Sequence, residues 1–228
     1  MSCGMHSATL ELCPTTVVKD DELGRLCAYM SQGLHALAQP LTIVRSALAA
    51  LSAPGVTAVD RQRYLELSSQ HVERTCSLFE CLQDLVIASQ IEADCGPVEL
   101  SEVLAEVVEE QKAALEISGV VLRIDTPTGL PSVQGDTART LQALGATLKI
   151  AASASSPGDL VELLGTVRNG FVELVLQTRR VRGRPLNSPE RLSLALAEAN
   201  IRSQQGQYVC VEDPLRVFIA LPLQDSVP

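Results

Sequence analysis

In the run "LHALAQPLTIV", Leu34 to Val44, two side chains could do chemistry: His35 and, four residues on, Gln39. An imidazole suits the transfer of a proton or a group near neutral pH. Residues four apart on a helix share a face, so His35 and Gln39 point the same way. Pro40 follows at once, although proline has no N–H and clashes with the preceding helical turn. A second cluster, Arg179, Arg180, Arg182 and Arg184, stands out in an acidic chain. It could grip a phosphate or an acidic partner, with Arg180 and Arg182 as the contacts, or form a solvated loop.

The remaining composition narrows the field. A net charge of −9 over 228 residues disfavours nucleic acid as a partner. The seven cysteines form no CxxC pair and no Cys/His cluster, which fits reduced thiols rather than a disulfide framework or zinc site. His6 and His71 have no motif around them, and the acidic run Glu106, Glu109 and Glu110 reads as a wet helix face. The first twenty residues lack the basic and apolar regions of a leader, and no run reads as about 18 consecutive apolar residues. The expectation is a soluble, cytoplasmic protein with no membrane partner, and with no bound metal or cofactor.

The elements that must position His35 come next. Residues 1–20 show no period and read as a loose arm. Leu23, Leu26, Met30, Leu34, Leu37, Leu41, Val44, Leu48 and Leu51 step by threes and fours, the core stripe of a long helix. "SAPG" ends it, and a second helical run places Leu65, Val72, Phe79, Leu82 and Val86 along its inner face. Two such helices form an antiparallel hairpin over residues 21–95, and one hairpin cannot bury both stripes. A dimeric four-helix bundle can. After "CGPVE" the texture changes to helix, strand, loop, helix, hairpin, helix, hairpin over residues 96–228. Asp136 or Thr137 is a helix cap, Asn169-Gly170 a hairpin turn, and Gly206 a helix stop. The fold class is α+β, a helical hairpin followed by a sheet covered by helices on one face.

Together these parts resemble the core of bacterial sensor histidine kinases, from about Asp21 to Leu223. "HxxxxPLT" looks like their phospho-acceptor motif, which makes His35 the acceptor and Pro40 the proline that kinks the helix beyond it. The second half resembles their ATP-binding domain, with departures. The family's magnesium-binding asparagines correspond to Ala146 and Ile150, its adenine-reading box to Thr178, Arg180 and Arg182, and a later glycine box to Arg191 and Ser193. The acid that usually follows the histidine is Ala36.

The resemblance therefore implies a degenerate kinase, a pseudokinase of the dimeric histidine phosphotransferase type. Without ATP, His35 would carry a phosphoryl group between response-regulator receivers in a phosphorelay, each receiver bringing its own Mg²⁺. A sensor kinase is a further partner. Two other readings stand beside this one: a non-catalytic adaptor that binds a receiver or kinase, and a receiver phosphatase in which Gln39 orients water. An active ATP-dependent kinase comes last.

Overall fold

A computed structural model describes residues 14–91, 93–127, 129–179 and 184–224, with side chains from Leu23 onward. Helix α1 (Pro14–Leu51) and helix α2 (Ala58–Gln90) form the hairpin. Part of the segment read as an arm is thus helical. Proline is at home in a first turn, where its missing N–H costs nothing. Thr57 caps α2: its Oγ1 accepts from the Asp60 N–H at 3.1 Å and donates to Asp60 Oδ2 at 2.7 Å.

The seam between these helices departs from the expected stripe. α2 contributes Ser68, Leu78, Leu82, Leu85 and Ala88, all buried. α1 meets them with small residues: Gly33, Ala36, Pro40 and Ala47 are buried. A Cβ on Gly33 would run into Leu82, so the helices approach closely there. Part of the expected stripe is there: Leu26, Met30 and Leu37 pack against this cluster, and Leu82 is buried in it. Other large residues expected inside point outward. Leu34, Leu41 and Leu48 are 59, 51 and 50% exposed, and Leu65, Val72 and Phe79 are 49, 47 and 55% exposed. Periodicity locates a face but not the neighbour it meets; half of the stripe packs at the seam, and small residues set the closest approach.

The second half begins with strand β1 (Gly96–Val98), which pairs antiparallel with β3 (Val133–Gly135). Between them lie helix α3 (Leu100–Ser118) and strand β2 (Val121–Asp125). Helix α4 (Thr137–Ser153) starts from Asp136, whose Oδ1 accepts from the Arg139 N–H at 3.1 Å. Strands β4 (Leu160–Arg168) and β5 (Phe171–Arg179) form a hairpin with Asn169 and Gly170 at φ 51° and 80°. Two successive positive φ values are what a type I′ turn needs, which explains the Asn-Gly pair. Helix α5 (Ser188–Arg202) precedes the β6 (Gln207–Glu212) and β7 (Leu215–Pro222) hairpin.

The main sheet has the order β2-β4-β5-β7-β6, with β2 and β4 parallel and the other pairs antiparallel. Val161, Leu163, Val172, Leu174, Leu176, Val217, Ile219 and Leu221 point to the helical layer, where Val103, Val107, Leu144, Leu148, Ala151 and Leu194 close the core. The small β1–β3 sheet was not foreseen, because three-residue strands carry too little alternation to show in a sequence. The expected helix stop at Gly206 also shifts. Gln205 takes the left-handed turn at φ 61°, whereas Gly206 is required by close packing: a Cβ there would meet Ile201 O at 2.8 Å and Ala220 O at 2.9 Å.

One helix, Leu23–Leu51 within α1, is long and apolar enough to cross a membrane by length and composition, at mean hydropathy 1.2. Gly, Ser, Thr and Gln interrupt its apolar residues, so that no long consecutive apolar run shows in the sequence.

Candidate functional site

The α1 geometry sorts the motif into two pairs. His35 and Gln39, one turn apart, are exposed; Ala36 and Pro40, also one turn apart, are buried. Among the described residues the His35 ring makes no hydrogen bond or ion pair, so both ring nitrogens are open to an incoming group. Pro40 carries no N–H for the Ala36 carbonyl, and the helix continues through it to Leu51. One turn on, the Thr42 hydroxyl donates to Ala38 O at 2.8 Å.

Ala36 is 8% exposed because a third helix covers it. α5 carries two apolar faces. Leu194, Ala197 and Ile201 look into the sheet core, whereas Leu192 and Leu196 pack with Ala36, Leu78, Leu82 and Leu85 of the hairpin. Polar contacts frame this seam. Tyr29 Oη donates to Glu198 Oε2 at 2.7 Å, Gln142 Nε2 to Asp84 Oδ2 at 3.3 Å, and Arg139 Nη2 to Ile91 O at 3.0 Å. Burial, reinforced by the Glu198 contact, pushes the Tyr29 hydroxyl up to about 12. Burial likewise pushes the Cys81 thiol up to about 11, against a hydrogen bond with Ser193 that lowers it. The sequence showed the apolar face of α5 toward the sheet but not its second partner.

Two clefts flank this junction. One, of about 550 Å³, lies where α1, the end of α2 and α5 converge and includes Arg25, Tyr29, Ile91, Glu198 and Arg202. The other, of about 380 Å³, runs from Gln32, one turn before His35, past Arg191 and Glu198 to Val209 on β6.

The residues matching the family's nucleotide site are placed as follows. Ile150 is 5% exposed and part of the core, and Ala146 is half-buried. Neither carries the oxygen donor that magnesium requires. The buried Thr178 hydroxyl donates to Leu215 O at 3.3 Å. Arg180 and Arg182 lie outside the described residues. The presumptive glycine-box residues are helical instead: Arg191 grips Glu212 at 2.8 Å, and the Ser193 hydroxyl donates to Pro189 O at 3.1 Å. This donor set does not fit a magnesium-bound nucleotide. Among the described residues no group of three His, Cys, Asp or Glu could hold a metal ion.

Residues 184–187, which lead into α5, are drawn onto α4. Leu186 is buried, and Arg184 donates to Glu190 Oε2 at 2.8 Å and to Ser153 O at 3.2 Å. Asn187 and Glu190 complete a reciprocal capping box. Burial alone would raise the Glu190 carboxyl, but Arg184, the Asn187 N–H and the Ser153 hydroxyl outweigh it and hold the group below its ordinary value. A depressed carboxyl contributes stability present above its ordinary pKa and lost as pH falls through the folded value. The melting temperature of the wild type is therefore expected to exceed that of Glu190→Gln most at neutral pH. The gap should close as the pH drops below the carboxylate range; a constant gap would remove the ionised carboxylate from this clamp.

No family model matches the chain, and no curated protein matches it. Solved structures do. Acinetobacter baumannii histidine kinase AdeS is 19% identical at a TM-score of 0.64, covering 83% of this chain and 98% of that one. Histidine kinase ThkA, in its complex with response regulator protein TrrA, is 14% identical at 0.68 and covers 95% of this chain and 68% of its own. The fold is that of a histidine kinase core. Full-length ShkA in complex with AMPPNP shares it at 15% identity and a TM-score of 0.55, and this chain spans 45% of that kinase. Within the histidine kinase fold, α1 and α2 are the helical hairpin and the second half has the shape of the ATPase domain. At these identities the likeness is one of fold.

Proposed function

We propose that this chain is a two-component signalling protein that passes a phosphoryl group between receiver domains through His35, without ATP. The observation that carries the reading is the sorting of α1: His35 and Gln39 are exposed, while Ala36 and Pro40 are buried and Ala36 packs with α2 and α5. ThkA binds a response regulator, and its structure with TrrA matches nearly the whole of this chain. By that analogy a receiver is the partner, and the 380 Å³ cleft beside Gln32 offers it a second contact on the docked domain.

In this reading a neutral ring nitrogen of His35 attacks the phosphorus of a receiver aspartyl phosphate. The N–P bond forms as the P–O bond breaks, and the electron pair leaves on the aspartate. The other ring nitrogen sheds its proton to solvent, since Ala36 cannot take it. A second receiver aspartate reverses these steps. The receiver supplies magnesium, and this chain supplies position. The unsuitable donor set at Ala146, Ile150 and Thr178 supports a route that bypasses ATP. The outward rows Leu34, Leu41, Leu48 and Leu65, Val72, Phe79 support a homodimer, because two such stripes bury each other in a four-helix bundle. Exposed free thiols at Cys27 and Cys76 support a reducing, cytoplasmic compartment.

Two variants separate this reading from its rivals, using a panel of phosphorylated receivers. His35→Gln is expected to abolish an acid-labile, base-stable label on the protein while receiver binding persists; Gln39→Ala should retain the label. Release of free phosphate that stops in Gln39→Ala and continues in His35→Gln would mark a receiver phosphatase. Stable binding with no label on the wild type would mark an adaptor.

A further inference from the structure

Helices α3, α4 and α5 cover one face of the main sheet. A sheet with one wet face normally alternates apolar inward and polar outward. The outward set breaks this rule. Register places Leu164, Val175, Phe218 and Val209 in one row across β4, β5, β7 and β6. The first three are half-buried and Val209 is 54% exposed. Phe171 shares this face, four residues before Val175 on β5. The chain has three phenylalanines, two here and Phe79 on the outward stripe of the hairpin, and none is among the buried residues. Aromatic side chains kept out of the core and gathered on a surface mark an interface.

The neighbouring row consists of Arg123, Glu162, Gln177 and Arg216. Glu162 is already held, by Arg179 at 2.6 Å, Gln177 at 3.0 Å and Arg123 at 3.9 Å. Arg216 is exposed and makes no hydrogen bond or ion pair among the described residues. Asp125, at the β2 end of the apolar row, and Glu173, on its far side, are the other carboxylates facing out. The apolar row thus has a cationic border of Arg123, Arg179 and Arg216 on a chain of net charge −9. Four strands spaced by about 4.8 Å give a row of roughly 14 Å. That length suits about ten residues of helix at 1.5 Å each.

We propose that this outer face docks an amphipathic helix of a partner protein, apolar toward the row and acidic along the side that meets the arginines. The site meets the cleft beside Gln32 only at Val209 and does not depend on phosphoryl transfer. The test is fluorescence anisotropy of the full chain with a labelled designed peptide. Its leucines recur at i, i+3, i+4 and i+7, and glutamates line one flank; a second peptide carries lysines in place of the glutamates. The acidic peptide is expected to bind in a salt-sensitive way and at least tenfold more tightly than the lysine peptide. Arg216→Glu should weaken it at least tenfold, and Val209→Ser several-fold; both positions are exposed, and circular dichroism confirms that each variant is folded. No binding, or equal binding of the two peptides, would overturn the proposal. So would a drop in molar mass for Val209→Ser, which would assign the face to a second copy of the chain.

Discussion

Ala36→Glu is expected to lever α5 away from the hairpin. Position 36 lies among Leu78, Leu82, Leu85, Leu192 and Leu196, with no cation in that cluster. A carboxyl held there at neutral pH must stay protonated or drag in water, and buried acids shift by up to about 3–5 pKa units. At 1.36 kcal/mol per unit, that is a cost of about 4 kcal/mol or more, with a further ~1–3 kcal/mol for the added volume. Undocking α5 is the relief open to the molecule, at the expense of its seam and the Tyr29–Glu198 contact. Urea unfolding should show a large fall in midpoint, and limited proteolysis should cut between the two halves. Ala36→Ser, which can bond back to the helix, should stay within ~1 kcal/mol of wild type. An unshifted midpoint for the glutamate variant would mean that position 36 is not enclosed. The acid used by kinases beside the histidine is thus incompatible with this docking, and restoring it should not create a kinase.

Leu41→Asp is expected to convert the proposed homodimer into monomers. Leu41 is the middle member of the Leu34, Leu41, Leu48 row and 51% exposed in the single chain, so the change costs little in the isolated hairpin. In a four-helix bundle it strikes both protomers. Removing a buried leucine costs about 2–5 kcal/mol per copy, and an added carboxylate costs more. Two copies at the lower bound amount to about 4 kcal/mol, a weakening of roughly a thousandfold. Sedimentation equilibrium at micromolar concentration should therefore find monomers with an unchanged circular dichroism spectrum. A persistent dimer would place the interface elsewhere.

Much of this fold was legible because local chemistry dictates it. Asn169-Gly170 can serve as a type I′ turn wherever it falls, and Asp136 caps the helix that follows it. The helical hairpin also followed from period and punctuation. Partnership between elements was harder to read. The periodic apolar residues of α1 marked a face, and of these Leu26, Met30 and Leu37 pack at the seam. Yet the closest approach to α2 is at Gly33, and the buried Ala36, Pro40 and Ala47 do not register as a stripe. Leu192 and Leu196 read as ordinary helix residues, because nothing in one sequence says that a helix is enclosed on two sides. Gln204 was invisible for a related reason. Its buried amide accepts from the Asp136 N–H at 2.7 Å and from Thr140 at 3.1 Å, and it donates to Asn200 O at 2.9 Å, contacts that span up to 68 residues. At the candidate site, His35, Gln39 and Pro40 were singled out by a motif that resembles the kinase phospho-acceptor; the burial of Ala36 came only with the third helix.

The central claim is that His35 receives its phosphoryl group from a receiver and not from ATP. Intact-protein mass spectrometry tests it most directly, with the full chain incubated separately with phosphorylated receivers and with Mg-ATP. One added phosphoryl group, on His35, is expected from a receiver in the panel, and none from ATP. A phosphoryl group gained from ATP, or none gained from any receiver that binds, would contradict it.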